Sequence, residues 1–161
     1  MTDTAHTLKY ANRLLAALRE DVASHERILA LLAEQEGLIR TPGDERFEAA
    51  TRALEKEVRR APQRKARREG AMLALASAFG VSPSALTLTS VAERLGENGE
   101  AVRREATRLR ELAEEVDVRN RRVATLVRVH RDVTRELIQV VLGPDDGGDV
   151  HEGGCLIDAE V

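Results

Sequence analysis

The sequence predicts an all-α fold: an elongated antiparallel helical bundle or coiled coil with two long helices, the first and the last, a middle helix interrupted by proline, and a short fourth helix. Three observations carry that prediction. Apolar residues recur every seven positions over two long stretches, a helical period and not a strand period. Aromatics make up 2% of the 161 residues, only Tyr10, Phe47 and Phe79. A Leu/Val/Ala seam between long helices needs few rings, whereas a compact globule buries several. Hydrophobic residues at 42% and charged residues at 33% are enough to fold one domain.

The first helix is expected from about Thr4 to Ile39, with Asp3 or Thr4 as its cap. Leu8, Leu15, Val22 and Leu29 recur at seven-residue intervals, and Ala11, Leu18, Leu32 and Ile39 fill the intervening seam with His25 among them. TPGD (41–44) ends the helix, because proline and glycine both oppose continuation. Asp44 caps a second helix whose stripe is Phe47, Leu54 and Val58. Pro62 then predicts a kink or short break. APQRKARREG (61–70) has almost no apolar surface, and helix resumes through AMLALASAF (71–79) to a C-cap at Gly80. GVSPSALTLT (80–89) reads as a loop. Ser90 and Glu93 have capping-box spacing, which predicts a short helix over 90–95.

The last helix is expected from about Glu100 to Leu142, roughly 65 Å long at 1.5 Å per residue. One seam row holds Val102, Leu109, Val116, Val123, His130 and Leu137; the other holds Ala106, Ala113, Asn120, Val127, Thr134 and Val141. After Asn120 the stripe widens, as Ala124, Leu126, Val133, Ile138 and Val140 join it. A narrow seam satisfies one partner helix; a wide one needs two or stays exposed. One reading has the first two helices bury it entirely. The other makes it a groove for an amphipathic helix of another protein. Asn120 then either fixes register as a buried seam Asn or marks the edge of a docking face. The chain divides into a bundle over 1–142 and a tail over 143–161. The tail has linker composition in GPDDGGDVHEGG (143–154) and ends in CLIDAEV (155–161). Its apolar patch would be a second contact or a cover for the groove.

Net charge is −3. The tail holds six acids and no Lys or Arg; removing those six from the 28 acids leaves 22 against 25 bases. The run Arg59 to Arg68 offers a site for phosphate or an acidic partner, but no aromatics interleave with it to stack bases. A solvated surface is the plainer reading. Cys155 is the only cysteine, so it forms no internal disulfide. The opening MTDTAHTLKY lacks an apolar signal core, and no apolar run approaches the ~18 residues of a membrane span. A soluble cytoplasmic protein is expected. No metalloprotease, phosphate-loop or dinucleotide motif occurs, and the acidic pairs lie on solvated faces with no pocket to shift them. No catalysis, cofactor or metal is expected. His25 and His130 both sit on seams, where they either fill helical positions or meet across the bundle.

The layout resembles the FlgN-type flagellar export chaperones. The long first and last helices fit. So does residues 54–95, LEKEVRRAPQRKARREGAMLALASAFGVSPSALTLTSVAERL, an Arg-rich helix ending in LASAFG (75–80) and followed by a short Leu/Thr segment. Asn120 with Leu126 and Val127 is similar to the family's Asn-centred motif and apolar pair. Val123 stands where a second Asn is frequent. GGCLIDAEV (153–161) is similar to the family's ending. The resemblance implies a cytoplasmic chaperone that binds the C-terminal helical segments of hook–filament junction (hook-associated) proteins, prevents their self-association and delivers them to the export apparatus. Its docking face would be Asn120, Val123, Leu126, Val127, His130, Val133, Leu137 and Val141, with Leu156 and Ile157 from the tail. Two other readings compete: a structural coiled coil that self-associates through the last helix, and a basic helical nucleic-acid binder.

Overall fold

The computed structural model describes residues 2–39, 41 and 44–142. They form five helices: α1 (Thr2–Leu38), α2 (Glu45–Arg59), α3 (Ala61–Phe79), α4 (Leu88–Leu95) and α5 (Glu100–Leu142). Pro42, Gly43 and the tail 143–161 lie outside the described residues.

Ion pairs and hydrogen bonds fix the directions. Arg19–Glu105 (3.4 Å), Glu26–Arg108 (3.5 Å) and Glu36–Arg122 (2.7 Å) ascend together, so α1 and α5 are parallel. Glu20–Arg67 (2.8 Å), Ser24–Glu57 (2.9 Å) and Gln35–Thr51 (2.8 Å) run in opposite senses, so α2 and α3 descend antiparallel to α1. The path is up, down, up, with the short α4 crossing between the last two. Helix α1 is central and packs against α2, α3 and α5.

Local chemistry sets the ends. Helix α1 already begins at Thr2, so Asp3 and Thr4 stand inside its first turn and are not its cap. Asp44 does cap α2: its carboxylate accepts from the Arg46 backbone N–H at 2.9 Å. The Arg46 guanidinium beside it holds that carboxyl below its usual value. The break expected at Pro62 is confined to Arg60. Proline takes a first-turn position of α3, where its missing N–H would have had no partner anyway. The basic stretch is therefore helical from Ala61, and helix does not wait until Ala71. Gly80, at φ 65°, closes α3 as expected. The capping box of α4 is Thr87 with Ser90, each hydroxyl accepting from the other's backbone N–H (3.0 and 3.1 Å). Glu93 is not part of it, and α4 starts at Leu88, two residues before the expected helix start.

The apolar core gathers at one end. Leu14 and Leu18 of α1, Leu75 of α3, Val91 of α4 and Val102 of α5 are fully or almost fully buried together, and Leu86 closes over them. Gly99 joins α4 to α5 so closely that a Cβ there would stand 1.9 Å from the Ala92 carbonyl oxygen.

Halfway along, α1 meets α2 and α3 through a buried polar layer. Glu57, 8% exposed, accepts from Ser24 Oγ (2.9 Å) and from Arg27 Nε and Nη2 (both 3.2 Å). Arg64, 6% exposed, donates to the Glu57 backbone carbonyl at 3.1 Å and lies 3.6 Å from the Asp21 carboxylate, which also accepts from Arg68. Arg27 chiefly, aided by Ser24 and Arg64, holds the Glu57 carboxyl below its ordinary value against the opposing pull of burial. Among the described residues, no buried side-chain nitrogen or oxygen lacks a hydrogen-bond partner.

Candidate functional site

The seam of α5 differs from the expected one by a small rotation. The row Val102, Leu109, Val116, Val123 and His130 does face α1. Its companion row is Glu105, Leu112, Arg119 and Leu126, not Ala106, Ala113, Asn120 and Val127. The difference has a simple origin. Both rows lie three or four residues from the first, on opposite sides of it, and α1 covers one side only. Asn120 is consequently exposed. It is not a buried register residue.

Coverage then runs out. Helix α1 ends at Leu38, while α5 continues to Leu142. Glu36 pairs with Arg122, and Leu38 and Ile39 stand beside Val127 and His130. Every residue from Arg131 to Val141 is exposed. This overhang of roughly 18 Å beyond His130 is not polar. The covered stripe continues in the same register, as Val133 (48% exposed), Leu137 (59%) and Val140 (80%), flanked by Ile138 and Val141. Contiguous exposed apolar surface is uncommon on a monomer. The wide stripe is thus neither wholly buried nor wholly free. Helix α1 covers it up to about Leu126 and leaves the rest.

Two grooves flank the point where α1 ends. One, of about 610 Å³, lies between Ala33, Gly37 and Ile39 of the α1 end and Leu126, Val129 and Val133 of α5. The other, of about 330 Å³, lies between Ile39, Phe47 and Val127. His130 lines both.

The expected site residues therefore separate. Val123, 6% exposed, belongs to the core. Leu126 and His130 are half-buried at the groove walls, while Val127, Val133, Leu137 and Val141 are exposed. Leu156 and Ile157 lie outside the described residues. The grooves add Ile39 and Phe47, which no reading of α5 alone could supply, because they arrive from just past the end of α1 and from the first turn of α2. The exposed Val129 was also missed; it lies off both seam rows.

The other candidates are resolved by the same geometry. His25 and His130 do not meet. Glu26, next to His25, pairs with Arg108, and His130 is 22 residues further along α5, roughly 33 Å away. The His25 ring donates from Nδ1 to the Asp21 carbonyl at 2.8 Å. Each base of the run 59–68 has an acidic partner: Arg59–Glu55, Arg60–Glu57, Arg64–Asp21, Lys65–Glu69, Arg67–Glu20 and Arg68–Asp21. A phosphate backbone would have to displace those carboxylates, so the run is poorly suited to nucleic acid. Arg64 also departs from the solvated-surface reading, since it is buried. No described helix is long and apolar enough to cross a membrane.

A family model described as FlgN protein matches residues 1–149. No curated protein matches the chain, nor does any solved structure.

Proposed function

The chain belongs to the FlgN family of flagellar export chaperones, and from that premise we propose that the second half of its α5 is the client-docking face. The clients are the C-terminal helical segments of hook-associated proteins. The protein holds them in the cytoplasm, keeps them from self-associating, and passes them to the type III export apparatus.

One observation carries this reading: the core stripe of α5 runs past the end of its cover with its apolar character intact. An amphipathic client helix laid along Val133, Leu137 and Val140 would do there what α1 does further down. Covering four or five such side chains offers several kcal/mol at ~25 cal/mol per Å², before the cost of ordering the client. The sum suits a micromolar to nanomolar complex that must later release.

Titration calorimetry against the C-terminal segments of the hook-associated proteins from the same genome tests it. Tight one-to-one binding is expected. The double substitution Val133→Asp/Leu137→Asp should weaken it more than 100-fold with an unchanged helical circular dichroism spectrum. Absence of binding to every such segment would overturn the assignment of clients. The same stripe also fits a second copy of the chain, so sedimentation of the protein alone belongs beside the titration. A monomer at micromolar concentration favours the chaperone reading; a dimer abolished by Val133→Asp favours self-association.

A further inference from the structure

The chain carries an acidic segment with an apolar end next to a basic stretch of its own helix. Residues 143–161 hold six acids and no Lys or Arg, and end in CLIDAEV with its apolar pair Leu156–Ile157. The preceding stretch of helix is the reverse. From Val118 to Leu142 there are six arginines and two acids, Asp132 and Glu136. Arg122 is tied to Glu36 and Arg131 to its neighbour Asp132. Arg128 and Arg135 have no ion-pair partner among the described residues.

Length selects the place. Twelve residues, 143–154, separate Leu142 from Cys155. Fully extended they span up to about 40 Å, and as a coil about 19 Å. The groove at His130 lies twelve helical residues back from Leu142, roughly 18 Å. The core end at Val102 lies roughly 60 Å back, beyond reach. The apolar pair can therefore reach the groove between Ile39, Phe47 and Val127, and it cannot reach the α4 end.

We propose that Leu156 and Ile157 dock within the same molecule into the groove of Ile39, Phe47 and Val127. The tail acids lie against Arg131 at the groove and Arg128 beside it, while Asp44 and Glu48 on the opposite wall are already paired with Arg46 and Arg52. The tail then competes with a client for the second half of α5. That competition rests on the chaperone reading; the docking itself does not.

Cys155 is the only cysteine, so a nitroxide can be attached to the full-length chain without substitution. Amide spectra of the labelled protein, without any client, should show Ile39, Phe47 and Val127 broadened and Val102 to Leu112 untouched. The end of α5 is broadened by proximity in any case, so Ile39 and Phe47 decide. Leu156→Ser/Ile157→Ser should restore their intensity, as should high salt in part. Full intensity at both residues in the unsubstituted chain would overturn the docking. Broadening that persists when labelled chains are mixed with isotope-enriched unlabelled ones would overturn it too, by making a second copy the occupant. In client titrations the Leu156→Ser/Ile157→Ser chain should bind roughly two- to tenfold tighter, since a tethered competitor acts at about millimolar effective concentration. Equal or weaker binding would overturn the competition. If neither form binds a client, the chaperone reading fails, and the broadening alone still decides the docking.

Discussion

From Val102 to Val123 the stripe of α5 lies under α1; from Val133 to Val140 the same register runs on exposed among the described residues. The residue types hardly change across that boundary. Val102, Leu112 and Val123 are buried, and Val133, Leu137 and Val140 are about half exposed or more. What changes is the neighbour. The lesson is that a heptad stripe states where a helix can be covered, not by what. In the first half the cover is part of the chain. In the second half no described residue supplies it, and the exposed row is left for another segment to cover.

The sharpest way to break the comparison is to remove one leucine from each half. Leu112 is 2% exposed and Leu137 is 59% exposed. Leu112→Ala should cost about 2–5 kcal/mol through lost burial and the cavity left behind. Leu137→Ala should change stability by less than about 0.5 kcal/mol. Urea unfolding of the two variants measures both. Equal losses would mean that the overhang is packed in solution, and the distinction between the halves would fall.

A second difference separates the regions. The bundle is keyed by a polar layer at Asp21, Ser24, Glu57 and Arg64; among the described residues the overhang has no comparable key. Glu57→Gln would leave Arg27 and Arg64 without their shared counter-charge, at an expected cost of about 1–3 kcal/mol. The pH dependence has a definite sign. The Glu57 carboxyl is held below its ordinary 4.5 when folded, chiefly by the Arg27 hydrogen bonds. Its contribution is then fully present above that value and is lost as pH falls below it through the depressed folded-state value. Stability of the unsubstituted chain should drop more steeply below pH ~4.5 than that of Glu57→Gln. Parallel curves would assign the layer a purely steric role.

Much of this was legible in the sequence, and the misses share one cause. The long first and last helices, the interruption beside Pro62 and the Gly80 cap follow from local chemistry, which a sequence shows directly. The deep face of α1 does not, because part of it is polar and apolar periodicity alone passes over those positions. Leu8 is 36% exposed, while Asp21, Ser24 and Gln35 are buried. Polar residues in a buried row are visible only once their partners, Glu57, Arg64, Arg68 and Thr51, are brought across the bundle. Asn120 failed for a related reason. Both sides of the α5 row are apolar enough to serve as a seam, and only the position of α1 decides between them. The uncovered apolar stretch of α5 was legible as excess width, whereas its boundary depended on where α1 ends relative to α5, which no single helix records.

That boundary is set by a small interaction, and the smallest expected effect locates it. Arg122 and Glu36 meet at 2.7 Å with Arg122 largely solvated and Glu36 less so. Among the described residues it is the last ion pair between α1 and α5 before the overhang. Exposed pairs contribute at most about 1 kcal/mol, so Glu36→Gln should barely move global unfolding. Its effect should be local. Val123 to His130 would lose a tether on one side of the groove, while Val102 to Val116 keep theirs. Amide hydrogen exchange should quicken severalfold over 122–130 and stay unchanged over 102–116. Uniform quickening along α5 would mean that the helix opens as one unit. The covered and uncovered halves would then be a static distinction with no counterpart in the dynamics of the helix, and a client would have to displace α1 to bind instead of extending it.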